Sequence, residues 1–569
     1  MSRSFVSKVM NTYNAYFDYI FSVRDSHNFA LKLGANAEDF KYDNQSISVN
    51  GVMYPDLPTL NLTEKNKEAT VNEALRHRAT AGFFGRINYN YKEKYLLELN
   101  GRYDGSSSFR PGKQWAFFSS ASAGYRISEE NFWKNIKPYV PSLKLRGSYG
   151  SVGNQALTSF YPYIPLMASE TVNWIGTDLN KKTSAETPDA INADMTWEKI
   201  RTLDFGFDAG FLNNELNVTF DWYVRRNIGM LVAGNEIIRY AGIATAPLEN
   251  GGNLKTTGWE LQIDYNHAFN KDFAVYGTFT MADSRSEITT WNNTTGALQS
   301  WYEGKQLGEI WGFETDRYFN SSDLNSDGTL KSDIPDQSYL QNGSFRFGAG
   351  DIKYKDLDDS GKIDSGKGTI DDHGDLKRIG NALPRYEYSL RLGAMFKGFD
   401  FEVLFQGVGK RDMWTNSSLF IPHAAGAQMN IFEDQLDYWT EDNQNAKFPR
   451  PYINASLGSL SGLPGNSGIN NYAPQTKYLC NLAYLRVKNL TFGYTIPQNI
   501  TRKLYVEKLR VYFSAQNLLT FDHLNGVMDP EATGGTTATR YYNNGIDINY
   551  AGRTMPFNRQ WSCGVQITF

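Results

Sequence analysis

The chain is short of cysteine, of histidine and of long apolar runs, and each shortage excludes a class of protein. Its two cysteines, Cys480 and Cys563, lie far apart in the sequence, so we predict no structural disulfide. No run of about 18 apolar residues occurs, which excludes a transmembrane helix. The six histidines are scattered without metal-ligand spacing, and a net charge of −4 gives no reason to expect nucleic acid as a partner.

Catalytic motifs are missing as well. The sequence contains no phosphate-binding P-loop, no zinc-protease motif, no Gly-x-Ser-x-Gly and no histidine-centred nucleophile. The adjacent carboxylates Asp358/Asp359 and Asp371/Asp372 have no acid/base context, so we interpret them as solvated loop charge rather than as glycosidase residues. We therefore predict that the protein is not an enzyme and requires no cofactor.

What the chain does contain is alternation of apolar and polar residues, from its beginning to its last strand. A period of two predicts a β-strand with one apolar face and one polar face. In the closing strand the apolar positions are Trp561, Cys563, Val565, Ile567 and Phe569. In the segment 95–104 the polar positions are Glu98, Asn100, Arg102 and Asp104. Unpaired charges would be costly in a dry sandwich core, whereas a water-filled lumen accepts them at low cost.

These patterns predict an all-β fold, namely a large antiparallel transmembrane β-barrel to which this chain contributes roughly fifteen strands. An aromatic content of 14% supplies the residues for the interfacial girdles of such a barrel. Tight turns alternate with long polar stretches, as expected for a periplasmic and an extracellular rim. The stretches that we predict as loops are 38–77, 154–195, 228–255, 288–382, 411–477 and 520–555.

Several segments occur together in an order that carries a family resemblance. They are Arg86–Ser106, Phe117–Glu130, Leu143–Gln155, Gly350–Asp356, Tyr484–Pro497, Leu509–Thr520 and Asp529–Glu531. Jointly they resemble the barrel of SusC/RagA-type TonB-dependent transporters, the nutrient importers of Bacteroidetes outer membranes. The resemblance implies that residues 1–569 form the C-terminal part of such a barrel in a bacterial outer membrane, with 288–382 as a large extracellular loop insertion.

The same resemblance implies a function and a set of partners. Members of the family take up oligosaccharides or oligopeptides across the lipid bilayer, with a SusD-like surface lipoprotein as a lid. Energy reaches them from TonB–ExbB–ExbD through an internal plug. The export signal, plug and first barrel strands of the family have no counterpart here, so we expect a C-terminal portion of a longer polypeptide, a processed chain or a truncated reading frame.

Two other interpretations remain open at this point. The chain could form a non-transporting surface protein, either a truncated barrel or an adhesin. It could also be a soluble, secreted β-rich glycan-binding protein or hydrolase, although the charged alternate faces argue against strands that need a dry core.

Two segments of the 288–382 loop resemble calcium-binding loops, because hard oxygen ligands at alternate positions followed by glycine suit calcium. In the first, positions 1, 3 and 5 are Asp323, Asn325 and Asp327. In the second, positions 1, 3, 5 and 9 are Asp356, Asp358, Ser360 and Asp364. Both lack the bidentate Glu at position 12, for which Asp371 or Asp372 could substitute in the second loop. The alternative is a pair of Asx turns; occupied loops would provide a structural calcium that stiffens the rim.

Large aromatic residues in and beside the long loops are candidates for contact with the substrate. Those that we select are Trp301, Tyr302, Trp311 and Trp414. Exposed rings on loops can stack on sugars, but large aromatics more often bury their area by packing loops together or against a lid.

Overall fold

The computed structural model describes most of the chain, with gaps in the connections between strands. The described residues are 1–54, 56, 59–62, 69–155, 157, 160–165, 167, 169–175, 181–185, 187–234, 246–341, 345–415, 417, 419–422, 431–451, 470–533, 546–547 and 554–569. Parts of the predicted loops 38–77, 154–195, 228–255, 288–382, 411–477 and 520–555 therefore lie outside the described residues.

The described residues are organised as β-strands joined by turns and loops. The strands are β1 (Ser2–Val23), β2 (His27–Ser48), β3 (Thr70–Tyr91), β4 (Tyr95–Ser106), β5 (Trp115–Arg126), β6 (Ser142–Asn154), β7 (Ser169–Ile175), β8 (Lys181–Ala185), β9 (Glu198–Phe211), β10 (Leu216–Ala233), β11 (Leu248–Asn270), β12 (Phe273–Thr290), β13 (Glu309–Phe313), β14 (Thr315–Tyr318), β15 (Ile352–Tyr354), β16 (Leu376–Asn381), β17 (Arg385–Phe396), β18 (Phe399–Lys410), β19 (Asp412–Thr415), β20 (Cys480–Asn481), β21 (Tyr484–Ile496), β22 (Lys508–Asp522), β23 (Ile546–Asp547) and β24 (Gln560–Thr568). A short α-helix spans Gln498–Thr501. Single 3-10 turns are Leu60–Leu62, Ile127–Glu129, Asn131–Asn135, Leu212–Asn214, Ser321–Asp323, Ser338–Leu340, Glu433–Leu436, Asn470–Tyr472 and Arg502–Leu504.

Fifteen of these strands form one antiparallel sheet, which confirms the predicted fold class and the predicted number of strands. Their order in the sheet is β1-β2-β3-β4-β5-β6-β9-β10-β11-β12-β17-β18-β21-β22-β24. Each strand thus pairs with the next sheet strand along the chain, which is the up-and-down connectivity of an antiparallel barrel wall. In the part of the chain that is described, no helix is long and apolar enough to cross a membrane.

The chain divides into two compact units, which we describe separately. Unit 1 comprises residues 1–135, 142–207 and 223–255, and unit 2 comprises residues 136–141, 208–222 and 256–569. In unit 1, β1 and β2 pair along their whole length, from Ser2 opposite Ser48 to Val23 opposite His27. In unit 2, β12, β17 and β18 form a comparable antiparallel ladder.

Tight turns connect strands at one end of the sheet, which we call the turn end. Arg24 and Asp25 have φ angles of +51° between β1 and β2, and Lys92 and Glu93 have similar values between β3 and β4. Gly398 has a φ of +89° between β17 and β18, and a Cβ there would lie 2.8 Å from the carbonyl oxygen of Thr495. The turn conformation and this close approach therefore both require glycine at position 398. We call the opposite end, with the long connections, the loop end.

Two predicted loops contain long continuations of the neighbouring strands. β2 continues to Ser48 and β3 begins at Thr70, within the stretch 38–77, and β10 and β11 extend into 228–255 in the same way. The prediction was wrong because it relied on apolar alternation. A strand that continues beyond the apolar band has polar residues on both faces, so its sequence reads as a loop.

The buried side chains of unit 2 lie mainly in the loops rather than in the sheet. The largest cluster includes Phe313, Phe319 and Ile352, all fully buried. By contrast Leu99 on β4 and Phe117 on β5 are 42% and 64% exposed, as expected for side chains that face lipid. Both cysteines are free, as predicted; Cys480 is buried and Cys563 is exposed.

Candidate functional site

In unit 1, one face of the sheet is lined by polar side chains that bind each other. Arg86 pairs with Glu98 across β3 and β4. The Nδ2 of Asn100 donates to the Oε1 of Glu98 over 2.8 Å. Farther along the wall, the Nζ of Lys32 lies 3.0 Å from the Oδ2 of Asp18. These residues occupy even-numbered positions, which the register places on the same face, so we call it the inner face.

The opposite, outer face carries two rows of aromatic rings with an apolar band between them. At the turn end, the Tyr95 ring lies 6.2 Å from that of Tyr91 and 5.1 Å from that of Tyr125. Toward the loop end, Trp115 lies 5.1 Å from Tyr103 and 6.2 Å from Phe83.

The spacing of these two rows matches a bilayer. Tyr95 and Tyr103 are eight residues apart on β4. At about 3.3 Å per residue and a tilt near 40°, this separation is roughly 20 Å of height, close to the apolar band of an outer-membrane barrel. Leu99 lies midway between the two aromatic rows.

In unit 2, the corresponding inner face contains ion pairs. The Nη2 of Arg391 lies 2.5 Å from the Oε2 of Glu402, which also accepts a hydrogen bond of 2.8 Å from the hydroxyl of Tyr276. Arg510 and Asp400 form a two-point pair with distances of 2.9 and 2.5 Å. A wall of paired charges is compatible with a wet lumen and can exchange hydrogen bonds with a polar molecule.

At the loop end of unit 2, two long connections fold together into what we call the rim module, the described residues of 291–384 and 411–482. The hydroxyl of Tyr318 donates to the carbonyl oxygen of Ala446 over 3.0 Å. The Nε2 of Gln475 donates to the hydroxyl of Tyr354 over 3.1 Å. Burial raises the pKa of Tyr318 to about 12, so this donor keeps its proton at any physiological pH.

A buried charge network fastens the next connection to β21. Arg486, whose side chain is 2% exposed, lies 2.7 Å from Asp529 and 2.9 Å from Glu531. Lys488 and the hydroxyl of Tyr484 also reach Glu531, each at 2.7 Å. Burial alone would raise the pKa of Asp529, but hydrogen bonds from Arg486 and from backbone N–H groups outweigh it and hold that pKa below its usual range. Asp529 and Glu531 belong to the Asp-Pro-Glu segment that carried the resemblance, and their ion pairs with Arg486 and Lys488 anchor this segment to β21.

The predicted substrate aromatics do not form one surface. Tyr302 and Trp414 are 6% and 2% exposed and belong to two hydrophobic clusters of the rim module. A ring with no exposed face cannot stack on a sugar, so we withdraw these two residues as substrate contacts.

The other two predicted aromatics keep an accessible part. Trp301 lies 5.9 Å from Trp291, ring to ring, and remains partly exposed. Trp311 is also partly exposed, and its indole N–H donates to the Oε1 of Glu309 over 2.8 Å. A role for Trp301 and Trp311 in substrate contact stays a prediction.

The first calcium-like loop has its leading carboxylate engaged elsewhere. Asp323 is buried, and its two oxygens lie 2.5 and 2.7 Å from the guanidinium of Arg317. This pairing holds the pKa of Asp323 below its usual range. The Oδ1 of Asp327 accepts the N–H of Thr329, which is the bond of an Asx turn, and the Nδ2 of Asn325 donates to the hydroxyl of Thr329. The loop therefore agrees better with the turn alternative than with a metal site.

The second loop does bring carboxylates together, although not all those that we predicted. Oxygens of Asp356, Asp358 and Asp375 lie within 4.8 Å of one another. Asp375 is fully buried and accepts the N–H groups of Leu357 and Asp364 at 2.6 and 2.9 Å. Burial raises the pKa of Asp375, and repulsion from the other two carboxylates raises it further.

Neither Asp371 nor Asp372 completes this cluster in the described structure. Asp372 lies 3.5 Å from Lys367 instead. Ser360 hydrogen-bonds within the turn, and Asp364 accepts from the N–H of Gly366. The position of Asp375 was missed because it follows Asp364 by eleven residues, outside the spacing of the loop pattern. Calcium occupancy of the loop stays a prediction.

Comparison with known proteins identifies a family whose β-barrel has the two faces described above. The family model described as "TonB dependent receptor-like, beta-barrel" matches residues 2–518. The chain belongs to the TonB-dependent receptor β-barrel family. Its fifteen-stranded sheet is therefore part of an outer-membrane barrel. Members of this family are receptors and transporters rather than enzymes.

Several receptors of this family are similar to the chain. TonB-dependent receptor P3 of Formosa agariphila is 26% identical over 500 residues, which are 85% of this chain and 45% of the relative. TonB-dependent receptor SusC of Bacteroides thetaiotaomicron is 27% identical over 546 residues, or 93% of this chain and 48% of the relative. The chain thus spans about half the length of the curated relatives that it matches.

A solved structure supports the barrel fold. The structure of the RagAB peptide transporter matches with a TM-score of 0.75 and 23% sequence identity, covering 100% of this chain and 56% of that chain. At this identity the match supports the fold and not the cargo. The family and the fold that the sequence resemblance implied are both confirmed.

Proposed function

We propose that this chain forms the wall and rim of a SusC-like importer that takes up polar oligomers, either oligosaccharides or oligopeptides. A SusD-like surface lipoprotein would close the loop end, and TonB–ExbB–ExbD would supply energy through a plug. The observation that carries the proposal is the two-faced wall, with paired polar groups inside and an apolar band outside, in a chain matched by the receptor family over residues 2–518.

The chemistry of the wall supports a polar cargo. Its inner face offers Arg–carboxylate pairs, amides and tyrosine hydroxyls, among them Arg391, Glu402 and Tyr276. Such groups can exchange hydrogen bonds with hydroxyl or peptide groups, whereas an apolar molecule would remove their water without offering hydrogen bonds in return.

The structure of the rim module is an argument for the proposed lid. Its hydrophobic core, with Phe313 and Tyr354 fully buried, gives the loop end of unit 2 a defined surface rather than a set of mobile loops. A defined surface lowers the ordering cost of binding a partner protein.

Uptake by living cells tests the proposal. Cells producing the complete receptor would be compared with cells that lack the receptor and with cells that lack TonB, using labelled pools of oligosaccharides and oligopeptides. We expect uptake of one pool that requires both proteins, and co-purification of a surface lipoprotein with the receptor. A receptor that is folded in the outer membrane but supports no TonB-dependent uptake would contradict the proposal and favour a non-transporting surface barrel or adhesin.

A further inference from the structure

The first three strands extend well past the bilayer at the loop end. Phe83 on β3 belongs to the loop-end aromatic row, and β3 continues from there back to Thr70. β1 and β2 accompany it, with Ala15 paired to Ala35 beside Phe83 and Ser2 paired to Ser48 at the tip. The inner face of this extension is part of the vestibule through which a cargo would enter.

Register aligns three cations in this vestibule wall. Lys8 on β1 lies opposite Tyr42 on β2, which lies opposite Arg76 on β3. In the next inner row, Phe40 lies opposite Arg78. All of these positions are even-numbered and share the inner face with the polar wall described above.

Charge is distributed unequally between the two faces of this extension, residues 2–14, 36–48 and 70–82. Its outer face carries Arg3 and Lys41 together with the carboxylates Asp39, Asp43 and Glu73. Its inner face carries Lys8, Arg76 and Arg78 with Glu38 as its one carboxylate. The inner face therefore has an excess of positive charge that the outer face lacks.

Glu38 forms an ion pair with only one of the three cations, Arg78. The Oε1 of Glu38 lies 3.5 Å from the Nη2 of Arg78. Lys8 and Arg76 have no ion pair with any residue that the structure describes, and both are exposed. They lie against rings instead, with the Tyr42 centroid 5.8 Å from the Lys8 Nζ and 5.6 Å from the Arg76 Cζ.

A second ring holds the two arginines in place. Phe160 lies 5.9 Å from the guanidinium carbons of both Arg76 and Arg78 and packs edge-on against Phe40 at 6.1 Å. A guanidinium supported by a ring loses less freedom on binding, and its N–H donors match the two oxygens of a carboxylate.

We propose that Lys8, Arg76 and Arg78 form an anion-recognition patch in the vestibule wall that selects cargo bearing carboxylate groups. This inference rests on the proposed import function and adds a cargo class to it. The carboxylates can belong to acidic sugars or to acidic peptides, because both present the same planar group to the same donors. A neutral oligomer gains nothing from uncompensated cations.

Binding by the complete receptor, purified from outer membranes, tests the patch. The probes are tetragalacturonate and tetraglutamate, each compared with a neutral counterpart, fully methyl-esterified tetragalacturonide and tetraglutamine. The inner-face variant is Lys8→Gln with Arg76→Gln. Its matched control is Arg3→Gln with Lys41→Gln, which removes one arginine and one lysine from the outer face of the same extension.

We expect a carboxylate probe to bind the unaltered receptor and the control variant alike. Binding to the inner-face variant should be about tenfold weaker, the size expected for losing two charge-assisted contacts at an exposed site. Arg76→Lys keeps the charge but loses the forked donors, so it should bind more tightly than Arg76→Gln and more weakly than the unaltered receptor, which separates loss of charge from misfolding. Binding of tetragalacturonate alone identifies acidic sugars as the source, and binding of tetraglutamate alone identifies acidic peptides.

Three results would overturn the patch: no carboxylate probe binds, the neutral counterparts bind as well, or the inner-face and control variants weaken binding equally. These failures are distinct from failure of the import function. Uptake that still requires TonB but is indifferent to the Lys8 and Arg76 substitutions would dismiss the patch alone, whereas uptake independent of TonB would dismiss the importer.

Discussion

The strands of the sheet and the rim module place their apolar side chains in opposite locations. On β4 and β5, apolar residues such as Leu99 and Phe117 point outward and remain exposed in the protein itself. In the rim module, Phe313, Trp414 and Ile421 are buried against other parts of the same module. The sheet depends on a bilayer to cover its apolar face, whereas the rim module is built like a water-soluble domain.

This difference determines how each region responds to substitution. Removing a large side chain from the rim module opens a cavity that water or neighbouring groups fill poorly. Removing a large side chain from the outer face of a strand leaves no such cavity, because lipid fills the space. An added charge, by contrast, is costly on the outer face of a strand, because that face has no water with which to solvate the charge.

The largest effect is expected for Trp414→Ala in the rim module. The side chain is 2% exposed and packs with Ile310, Ile421 and Tyr472, so its loss should lower the opening free energy of the module by about 4 kcal/mol. Hydrogen exchange would measure that loss. Trp301→Ala is the matched control and should cost about 1 kcal/mol because Trp301 is partly exposed. Equal losses for the two variants would show that the module has no cooperative core.

The next effect concerns the charge network at β21. Arg486→Gln leaves Asp529 and Glu531 without their main counter-charge, which should destabilise the attachment of residues 523–533 by about 3 kcal/mol. Lys503→Gln, in an exposed position of the turn Arg502–Leu504, is the control and should leave that attachment unchanged. Hydrogen exchange of residues 523–533 would measure both.

The same network has a pH dependence of predictable sign. Because the folded-state pKa of Asp529 is depressed, its contribution is fully present above the ordinary Asp pKa of about 4 and is lost as pH falls through the lower folded value. Protection of residues 523–533 should therefore be flat above about pH 5 and fall below about pH 4. Arg486→Gln should weaken this dependence, and an unchanged profile in the variant would contradict the assignment.

A smaller effect separates the two faces of one strand. Leu99→Arg places a charge at the middle of the apolar band and should destabilise the inserted barrel by at least about 2 kcal/mol. Asn100 is the next residue along β4 and lies on the inner face. Asn100→Arg should cost about 1 kcal/mol or less, mainly through the lost bonds to Glu98 and Ser120. Urea unfolding in lipid vesicles would measure both; equal costs would mean that the faces are misassigned.

The smallest effect tests calcium in the second loop. Calcium at roughly tenfold its dissociation constant should raise the opening free energy of the rim module by about 1.4 kcal/mol, and a chelator should reverse the gain. Asp375→Asn should abolish the gain, whereas Asp327→Asn in the first loop should preserve it. A calcium response that persists in Asp375→Asn would place the ion elsewhere, and no response would leave the cluster a set of hydrogen-bonded turns.

Much of the wall was predictable from the sequence because a strand in a bilayer encodes its two environments residue by residue. The alternation of Leu97 and Leu99 with Glu98 and Asn100 predicts the faces that the structure has. The strand count also followed, since each strand carries its own pattern.

The rim could not be predicted in the same way, since its contacts join residues distant in sequence. The bond from Gln475 to Tyr354 depends on how two loops pack, and the approach of Asp375 to Asp356 depends on how one loop folds back on itself. No local period in the sequence records either contact. The burial of Tyr302 and Trp414 likewise follows from partners that sequence spacing does not reveal. The alignment of Lys8, Arg76 and Arg78 was missed because the stretch 38–77 was predicted to be a loop, and a loop prediction conceals the register of β2 and β3.

The extension of β1, β2 and β3 beyond the aromatic row has a consequence for the range of their charges. Lys8 and Arg76 lie in a wall bathed by water and salt rather than by lipid. At physiological ionic strength the field of such charges fades within about 8 Å. Acidic and neutral oligomers of equal size would then arrive at similar rates and differ in how long they stay. Selection at this wall is a matter of residence time.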